Sequence, residues 1–489
     1  MPLRNLFRIK SIESAVAEEG PPGQGLRRCL GPIDLILLGI GGIVGAGIFA
    51  LVGTAAAGDA SRPGAGPALV VSFVLTGTAC ALTALCYAEF TSMVPISGSA
   101  YTYAYTTLGE LVAWIIGWDL ILEYAVGNVA VAVSWSGYFC EFLRGFHLEF
   151  PRYLATDLRA ALHSPEILAA APRVLGVPLI FNLPAVAIVA VITLVLSIGV
   201  KESSWFNGIM VGIKLLVLAL FVVTGACYVR PANWHPFAPN GWSGIQAGAA
   251  VVFFAFIGFD AVSTASEECR RPERDMPIGI LGSLAICTVI YVVVAVVLTG
   301  MIPSAQLNTA EPLSVAMRVV NRPWTAGIVA FGSIVAHTAV LLVFQLGQPR
   351  ILLSMSRDGL LPGVLARTHR RFRTPHVATI LTGVFVAVGS AVASLDEMAD
   401  LCNIGTLSAF VIVCIGVIVL RRREPNRRRP FRTPWVPWVP GLGVLACLYL
   451  MLGLPRMAWI RFAVWLCVGL TCYTAYGYRK SRLHRPAPA

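Results

Sequence analysis

Residues 39–49 read Gly39-Ile40-Gly41-Gly42-Ile43-Val44-Gly45-Ala46-Gly47-Ile48-Phe49, in the middle of an apolar run from 33 to 56. Five glycines within nine residues lower helix propensity sharply, and glycine lets another backbone or a ligand approach closely. A single glycine pair would read as a helix-packing interface of the small-xxx-small kind. A cluster at mid-run reads as an interrupted helix. A second interruption stands at Phe253-Phe254-Ala255-Phe256-Ile257-Gly258-Phe259-Asp260, where a glycine and a carboxylate sit inside another apolar run.

The surrounding composition says what those helices cross. The chain of 489 residues is 57% hydrophobic and 13% charged, with a mean hydropathy of +0.75. A membrane-spanning helix takes about 20 apolar residues. Twelve such runs are present, at 33–56, 67–92, 110–141, 184–200, 205–229, 244–266, 277–302, 324–346, 376–394, 399–420, 438–454 and 458–477. The glycine cluster lies in run 1 and the second break in run 6. Interrupted segments at corresponding positions of two halves point to a transporter binding site at the midplane. The organisation expected is a tail (1–31), a first repeat of runs 1–5 (32–229), an inverted second repeat of runs 6–10 (230–421), and runs 11 and 12 with a C-terminal tail (422–489). The fold class is all-α, an integral membrane protein.

Two broken helices also define a ligand. Half-helix N-termini present free N–H groups and a positive dipole end, which suits a carboxylate. Freed carbonyls at the other half-helix ends suit an ammonium. Crossed at the midplane, they make a site for a zwitterion such as an amino acid.

The net charge of +12 does not imply nucleic acid, because the arginines flank apolar runs. With the N-terminus inside, segments on the cytoplasmic side carry 26 Lys and Arg, and segments on the other side carry 10. The positive-inside rule then puts both termini in the cytoplasm, in a multi-pass cell (inner) membrane protein. The arginines at 421–423 and 427–429 read as a topology anchor beside anionic membrane lipid. The first apolar run is too long for a signal-peptide core, so an uncleaved first helix is expected. Residues 5–18 read either as an amphipathic surface helix or as an unstructured tail. The twelve cysteines and seven histidines show no metal-ligand spacing, and no nucleophile–base pair stands out. No cofactor and no enzymatic activity is expected.

Ionisable residues inside apolar runs are functional candidates by default. Lys214 is one of only four lysines and lies mid-way along run 5, where a charge costs at least about 2.5 kcal/mol. It reads as a proton carrier, as a permanent structural charge, or as a side chain snorkelling to the interface. Asp119 and Glu123 lie four residues apart on one face of run 3. Asp260 follows the run 6 break, where it could cap the second half of the helix or serve the proton path. Asp34 and Glu89 read as interfacial. Glu267 and Glu268 stand near Arg270 and Arg271, an expected salt-bridge or inner-gate region.

The stretch 39–49, with Cys86-Tyr87-Ala88-Glu89-Phe90, Pro95-Ile96-Ser97-Gly98-Ser99-Ala100-Tyr101, Gly117-Trp118-Asp119-Leu120-Ile121-Leu122-Glu123-Tyr124 and Phe256–Asp260, resembles bacterial members of the cationic amino acid transporter family, within the amino acid–polyamine–organocation superfamily. The resemblance runs from about Arg8 to about Arg432. It implies the five-plus-five inverted repeat of the bacterial leucine transporter. By position it implies that the substrate carboxylate meets the backbone of Gly45, Ala46 and Gly47, and the ammonium the carbonyls of Ile43, Phe254, Ala255 and Ile257. It also implies that Lys214 matches a lysine of proton-coupled members, bridging runs 1 and 8 through carbonyls, with Glu123 near the substrate or proton path. Two departures stand out. Ala46 occupies a position where relatives often carry Ser or Thr, and Gly58–Gly64 looks like a short insertion before Ala65-Gly66-Pro67-Ala68.

Phe254, Phe259 and Phe344 would narrow the pocket, with Phe259 as a lid. Aromatic walls favour neutral or broad specificity, although their π faces and Glu123 leave a cationic substrate open. Proton-coupled uptake of an L-amino acid is the function expected. Exchange, uncoupled facilitation and a non-transporting sensor are the alternatives. An accessory subunit leaves no signal in the sequence.

Overall fold

The computed structural model describes residues 8–10, 29–94, 99–162, 164–174, 177–199, 204–369, 372 and 374–484. The stretch 5–18, apart from 8–10, lies outside these residues, as do Pro95–Gly98 of the quoted motif. For Glu267 only the backbone is described.

The chain is mostly helical, and every apolar run falls on helical structure. Among the described residues, eight helices are long and apolar enough to cross a membrane, nine if the bent pair Pro32–Ile43 and Gly47–Ala57 counts as one span. Three shorter apolar helices, Leu183–Ile198, His376–Val392 and Trp438–Leu452, carry runs 4, 9 and 11. Helix starts follow local chemistry. Pro32, Pro272 and Pro323 occupy first-turn positions, where the missing N–H costs nothing. The Asp34 carboxylate accepts the Gly31 N–H at 2.9 Å. Asn182 caps run 4, accepting the Ala185 N–H at 3.3 Å, and that helix ends at Gly199 with φ +84°, a conformation glycine adopts without strain.

Helices pair through small residues. Run 2 packs on run 7 and run 4 on run 9, with Gly77 against Thr288 and Gly383 against Thr193. Run 3 packs on run 8. Run 12 lies outside, joined to run 3 by the stacked Trp118–Trp465 pair at 4.7 Å. Both chain ends meet on one face. The Glu110 N–H donates to Arg8 O at 3.0 Å, Lys10 pairs with Asp358 at 2.8 Å, and the Arg482 N–H donates to Asp358 O at 3.0 Å.

The insertion Gly58–Gly64 is a tight hairpin of two-residue strands, Gly58–Asp59 and Arg62–Pro63. It carries Arg62 onto Asp400 of run 10 at 2.7 Å, with Asp59 at 2.8 Å on the other side. Two sequence expectations change. Glu268 pairs with Arg350 at the end of run 8, at 3.9 Å, and not with Arg270 or Arg271. Arg421 and Arg429 turn inward onto the fully buried Glu89, at 2.8 and 3.3 Å, so only part of that arginine run is free to face lipid. Glu89 is thus enclosed by the protein, and these guanidinium groups compensate its charge.

Candidate functional site

The helix Pro32–Ile43 ends at Val44, whose φ −79° and ψ 100° are extended. The run resumes at Gly47, bent by 47°. In run 6 the helix Gly241–Val252 tightens to a 3₁₀ turn over Phe253–Phe256. It then breaks at Ile257, which is extended, and at Gly258, with φ +110°. The two breaks cross at backbone distance. A Cβ on Gly47 would lie 2.2 Å from Ala255 Cα, and one on Gly258 would lie 2.8 Å from Gly42 C. The glycine cluster is therefore needed for the crossing itself.

The crossing sorts backbone groups by charge. The amides of Gly45, Ala46 and Gly47 precede the first bond of the second half-helix, Phe49 N–H to Gly45 O at 3.2 Å, so they belong to the unpaired N-terminal set. Ala46 is 1% exposed and contributes only backbone. At the end of the first half-helix, Ile43 O accepts the Tyr291 hydroxyl at 3.0 Å, which leaves one lone pair for a ligand. Phe254, Ala255 and Ile257, in the run 6 break that crosses here, are all buried.

Lys214 is fully buried, and its ammonium donates to Gly41 O at 2.8 Å and Val44 O at 3.0 Å. Both acceptors lie at the C-terminal end of the first half-helix. That end carries a negative dipole and unpaired carbonyls, which is what compensates the charge. The second anchor expected on run 8 is not among its hydrogen bonds. On run 8, His337 is fully buried and within electrostatic reach of Lys214. The His337 Nδ1 lies 2.6 Å from Ser333 O and Nε2 lies 2.7 Å from Ser134 Oγ. A carbonyl only accepts, so Nδ1 carries the hydrogen and Nε2 receives the serine hydroxyl. A lone histidine inside an apolar run was the signal for this residue, and metal spacing alone passes over it.

Glu123 sits on a π turn, Leu122–Val126, a helix defect common at functional sites. It stands against Asp260 and near Thr406. Neither of its carboxylate oxygens meets a hydrogen-bond donor among the described residues. Asp260 Oδ2 accepts the Tyr124 hydroxyl at 3.3 Å, and its Oδ1 is unpaired. Asp119, by contrast, accepts from Ser408 at 2.7 Å, one turn away from this pair. Glu123 and Asp260 are thus adjacent buried carboxyl groups with no ion-pair partner among the described residues.

The aromatic residues divide. Phe344 packs edge-on to Tyr124, with centroids 5.5 Å apart, beside Gly127 and Cys402. Phe259 is fully buried between Tyr87 and Phe410, at 5.8 and 5.1 Å. On the face away from the chain ends, a cavity of about 450 Å³ is lined by Thr54, Ser134, Asp157, Asn182, Glu311 and Asp396. Ser134 links it to His337. Burial, and then the neighbouring Glu141, push the Glu311 carboxyl up to about 7.

The family profile described as "Amino acid permease" matches residues 30–471. The chain is 48% identical to the "Branched-chain amino acid permease BcaP" of Bacillus subtilis (strain 168), over 98% of this chain and 99% of that protein. It is 46% identical to the "Methylthioribose transporter" of the same organism, over 99% and 100%. It is 37% identical to "Cationic amino acid transporter 4, vacuolar" of Arabidopsis thaliana, over 87% of this chain and 68% of that one. Crossed helix breaks, a multi-pass apolar helical body and matches along nearly the whole chain lead to one conclusion: this chain belongs to the amino acid permease family.

Proposed function

We propose that the protein is a secondary active transporter that takes up L-amino acids by alternating access, driven by protons. The crossing of the two helix breaks, Gly42 against Gly258 and Gly47 against Ala255, carries the reading. Broken helix ends offer amides at one end and carbonyls at the other, and those are the complements of a carboxylate and an ammonium. The substrate carboxylate rests on Gly45–Gly47 and the ammonium on the carbonyls around Ile43 and Phe254–Ile257, with Phe344 and Tyr124 at the side-chain end.

Twelve spans in a five-plus-five inverted repeat fit the order of the elements. Runs 1 and 6 are broken, and runs 2 and 7 are long helices, of 25 and 30 residues. Helices of 9 and 8 residues follow at Ser99–Thr107 and Pro312–Val319. Runs 3 and 8 are helical over 35 residues each, and runs 4 and 9 over 16 and 17. Runs 1 to 4 each pack against their counterpart, 6 to 9, as expected around a pseudo-twofold axis in the membrane plane. The arginine bias supports a cell-membrane orientation with both chain ends cytoplasmic.

Lys214 couples the proton to the cycle. Its two acceptors exist only while the first half-helix ends where it does. If that half-helix swings when the cytoplasmic side opens, the ammonium loses both carbonyls together and a neutral amine is favoured. Glu123 and Asp260 hold a second proton site beside the substrate. The buried aromatic walls and the likeness to a branched-chain permease favour a neutral aliphatic substrate. The methylthioribose relative supports a second reading. A ribose derivative has neither carboxylate nor ammonium, and would use the same pocket through other groups.

Purified protein in liposomes with an inward proton gradient tests these readings, with labelled leucine and competition by arginine and by methylthioribose. Leucine accumulation is expected, outcompeted by neutral amino acids. Lys214→Ala is expected to lose gradient-driven accumulation while still exchanging internal for external leucine. Unchanged accumulation and pH dependence in Lys214→Ala would overturn the coupling role. Competition by methylthioribose alone would overturn the amino acid reading.

A further inference from the structure

The geometry points to a binding groove for an anionic phospholipid, on the face that carries the chain ends, between the start of run 7 and the connection from run 10 to run 11. The groove has a volume of about 640 Å³. Pro277, Ile278, Leu281 and Gly282 form its floor, Pro430 and Phe431 its wall, and Glu273 and Arg274 its mouth. The floor continues as an apolar stripe on one side of the run 7 helix. Ile278, Ile286, Val289 and Val293 are all exposed, at the spacing that keeps them on one helical face.

Depth and charge choose the occupant. Trp435 and Trp438, 81% and 74% exposed, lie just beyond the groove wall at the start of run 11. Exposed tryptophans of this kind mark the headgroup level. At the same level Arg274 points out with no ion-pair partner among the described residues, and Arg428 touches only Glu273, at 3.5 Å and largely exposed. Arg271 and Arg432 flank them in sequence and are also exposed. Cations thus outnumber the one carboxylate at the mouth, above an apolar track leading toward the membrane middle. A phosphodiester headgroup with an acyl chain matches both parts.

The groove shares a helix with the transport site. Gly279, and Gly282 in the groove floor, approach Leu35 and Ile36 of the first half-helix of run 1, where a Cβ would come within 2.6 and 3.1 Å. That half-helix is also tied to the residues just before the groove, through the Cys29 and Leu30 N–H groups to Glu268 O and the Arg270 N–H to Leu30 O. A lipid in the groove therefore steadies the element whose end holds Lys214.

Detergent-purified protein titrated with phosphatidylglycerol tests the site, read by thermal midpoint and by lipid retained in native mass spectrometry. A saturating rise in midpoint and one retained lipid are expected. R274Q/R428Q should weaken the apparent affinity by about fivefold for each arginine removed, the worth of one arginine near an anionic surface. Both side chains are exposed, so the substitutions leave the fold alone. R367Q/R479Q removes two exposed arginines elsewhere on the same face and should leave the titration unchanged. An equal weakening in R367Q/R479Q would overturn the groove in favour of diffuse surface charge. An equal midpoint rise with inorganic phosphate, or with phosphatidylethanolamine, would overturn the anionic lipid as its occupant.

Discussion

At Gly47 a single hydrogen atom decides whether two helix breaks can cross. An alanine there would put its methyl 2.2 Å from Ala255 Cα and 2.6 Å from Ala255 N, and backbone cannot rotate aside as a side chain can. Overpacking of this kind costs about 1–3 kcal/mol, which corresponds to roughly five- to 150-fold in affinity. Gly47→Ala is therefore expected to fold and to bind substrate weakly in equilibrium binding. Wild-type binding by Gly47→Ala would show that the crossing is not the binding geometry. Lys214 has a different logic. Its ammonium is tolerated because a helix end in front of it supplies two carbonyls and the negative end of a dipole.

Among the elements, the hairpin Gly58–Pro63 is a clasp. Arg62 is 8% exposed and reaches Asp400 at 2.7 Å, tying the end of run 1 to the start of run 10. Removing one partner of a buried pair leaves the other charge uncompensated, at a cost of about 3–5 kcal/mol. Arg62→Gln should lower the thermal midpoint, and Asp400→Asn added to it should restore much of the loss. A double variant no better than Arg62→Gln would mean that the pair is not what holds the clasp. The short helix Pro312–Val319 behaves differently. Arg318 bonds Glu141 of run 3 at 2.8 Å, and Arg144 bonds Glu141 at 3.0 Å. Glu311 sits beside this trio, its carboxyl raised from 4.5 to about 7 by burial and then by Glu141. A raised acid favours the folded packing while it is neutral. The stabilisation is complete below about 4.5 and is lost as pH rises through about 7. Hydrogen exchange of residues 303–320 should thus be slower at about pH 5 than at about pH 8, after correction for intrinsic rates, and Glu311→Gln should flatten the difference. A difference that persists in Glu311→Gln would assign it to another group.

At the scale of the whole molecule, the two faces differ in chemistry. The face with the chain ends gathers the arginines and the groove between runs 7 and 11. The opposite face carries the Arg62 clasp and the carboxylate-lined cavity. Cys29 and Cys227 are both exposed and lie on opposite faces, Cys29 just before run 1 and Cys227 just after the run 5 helix. An impermeant thiol reagent applied to intact cells should label Cys227 and spare Cys29. Labelling of Cys29 alone would reverse the orientation.

Length, hydropathy and the glycine clusters are local properties, so they could be read along the chain: the helical runs, their apolar setting, and the positions of the breaks at Gly39–Phe49 and Phe253–Asp260. Arginine bias belongs to the same class, because it is a count along the chain. Partners are not local. That Lys214 ends on Gly41 and Val44 rather than on run 8, that Glu268 meets Arg350, that Arg421 turns in to Glu89, that Arg62 spans 338 residues to Asp400 and that His337 meets Ser134 of run 3 follow from how helices pack. No periodicity records which side chain on one helix meets which on another. The tertiary structure alone decided them, because each charged group settled where buried geometry offered it the best compensation.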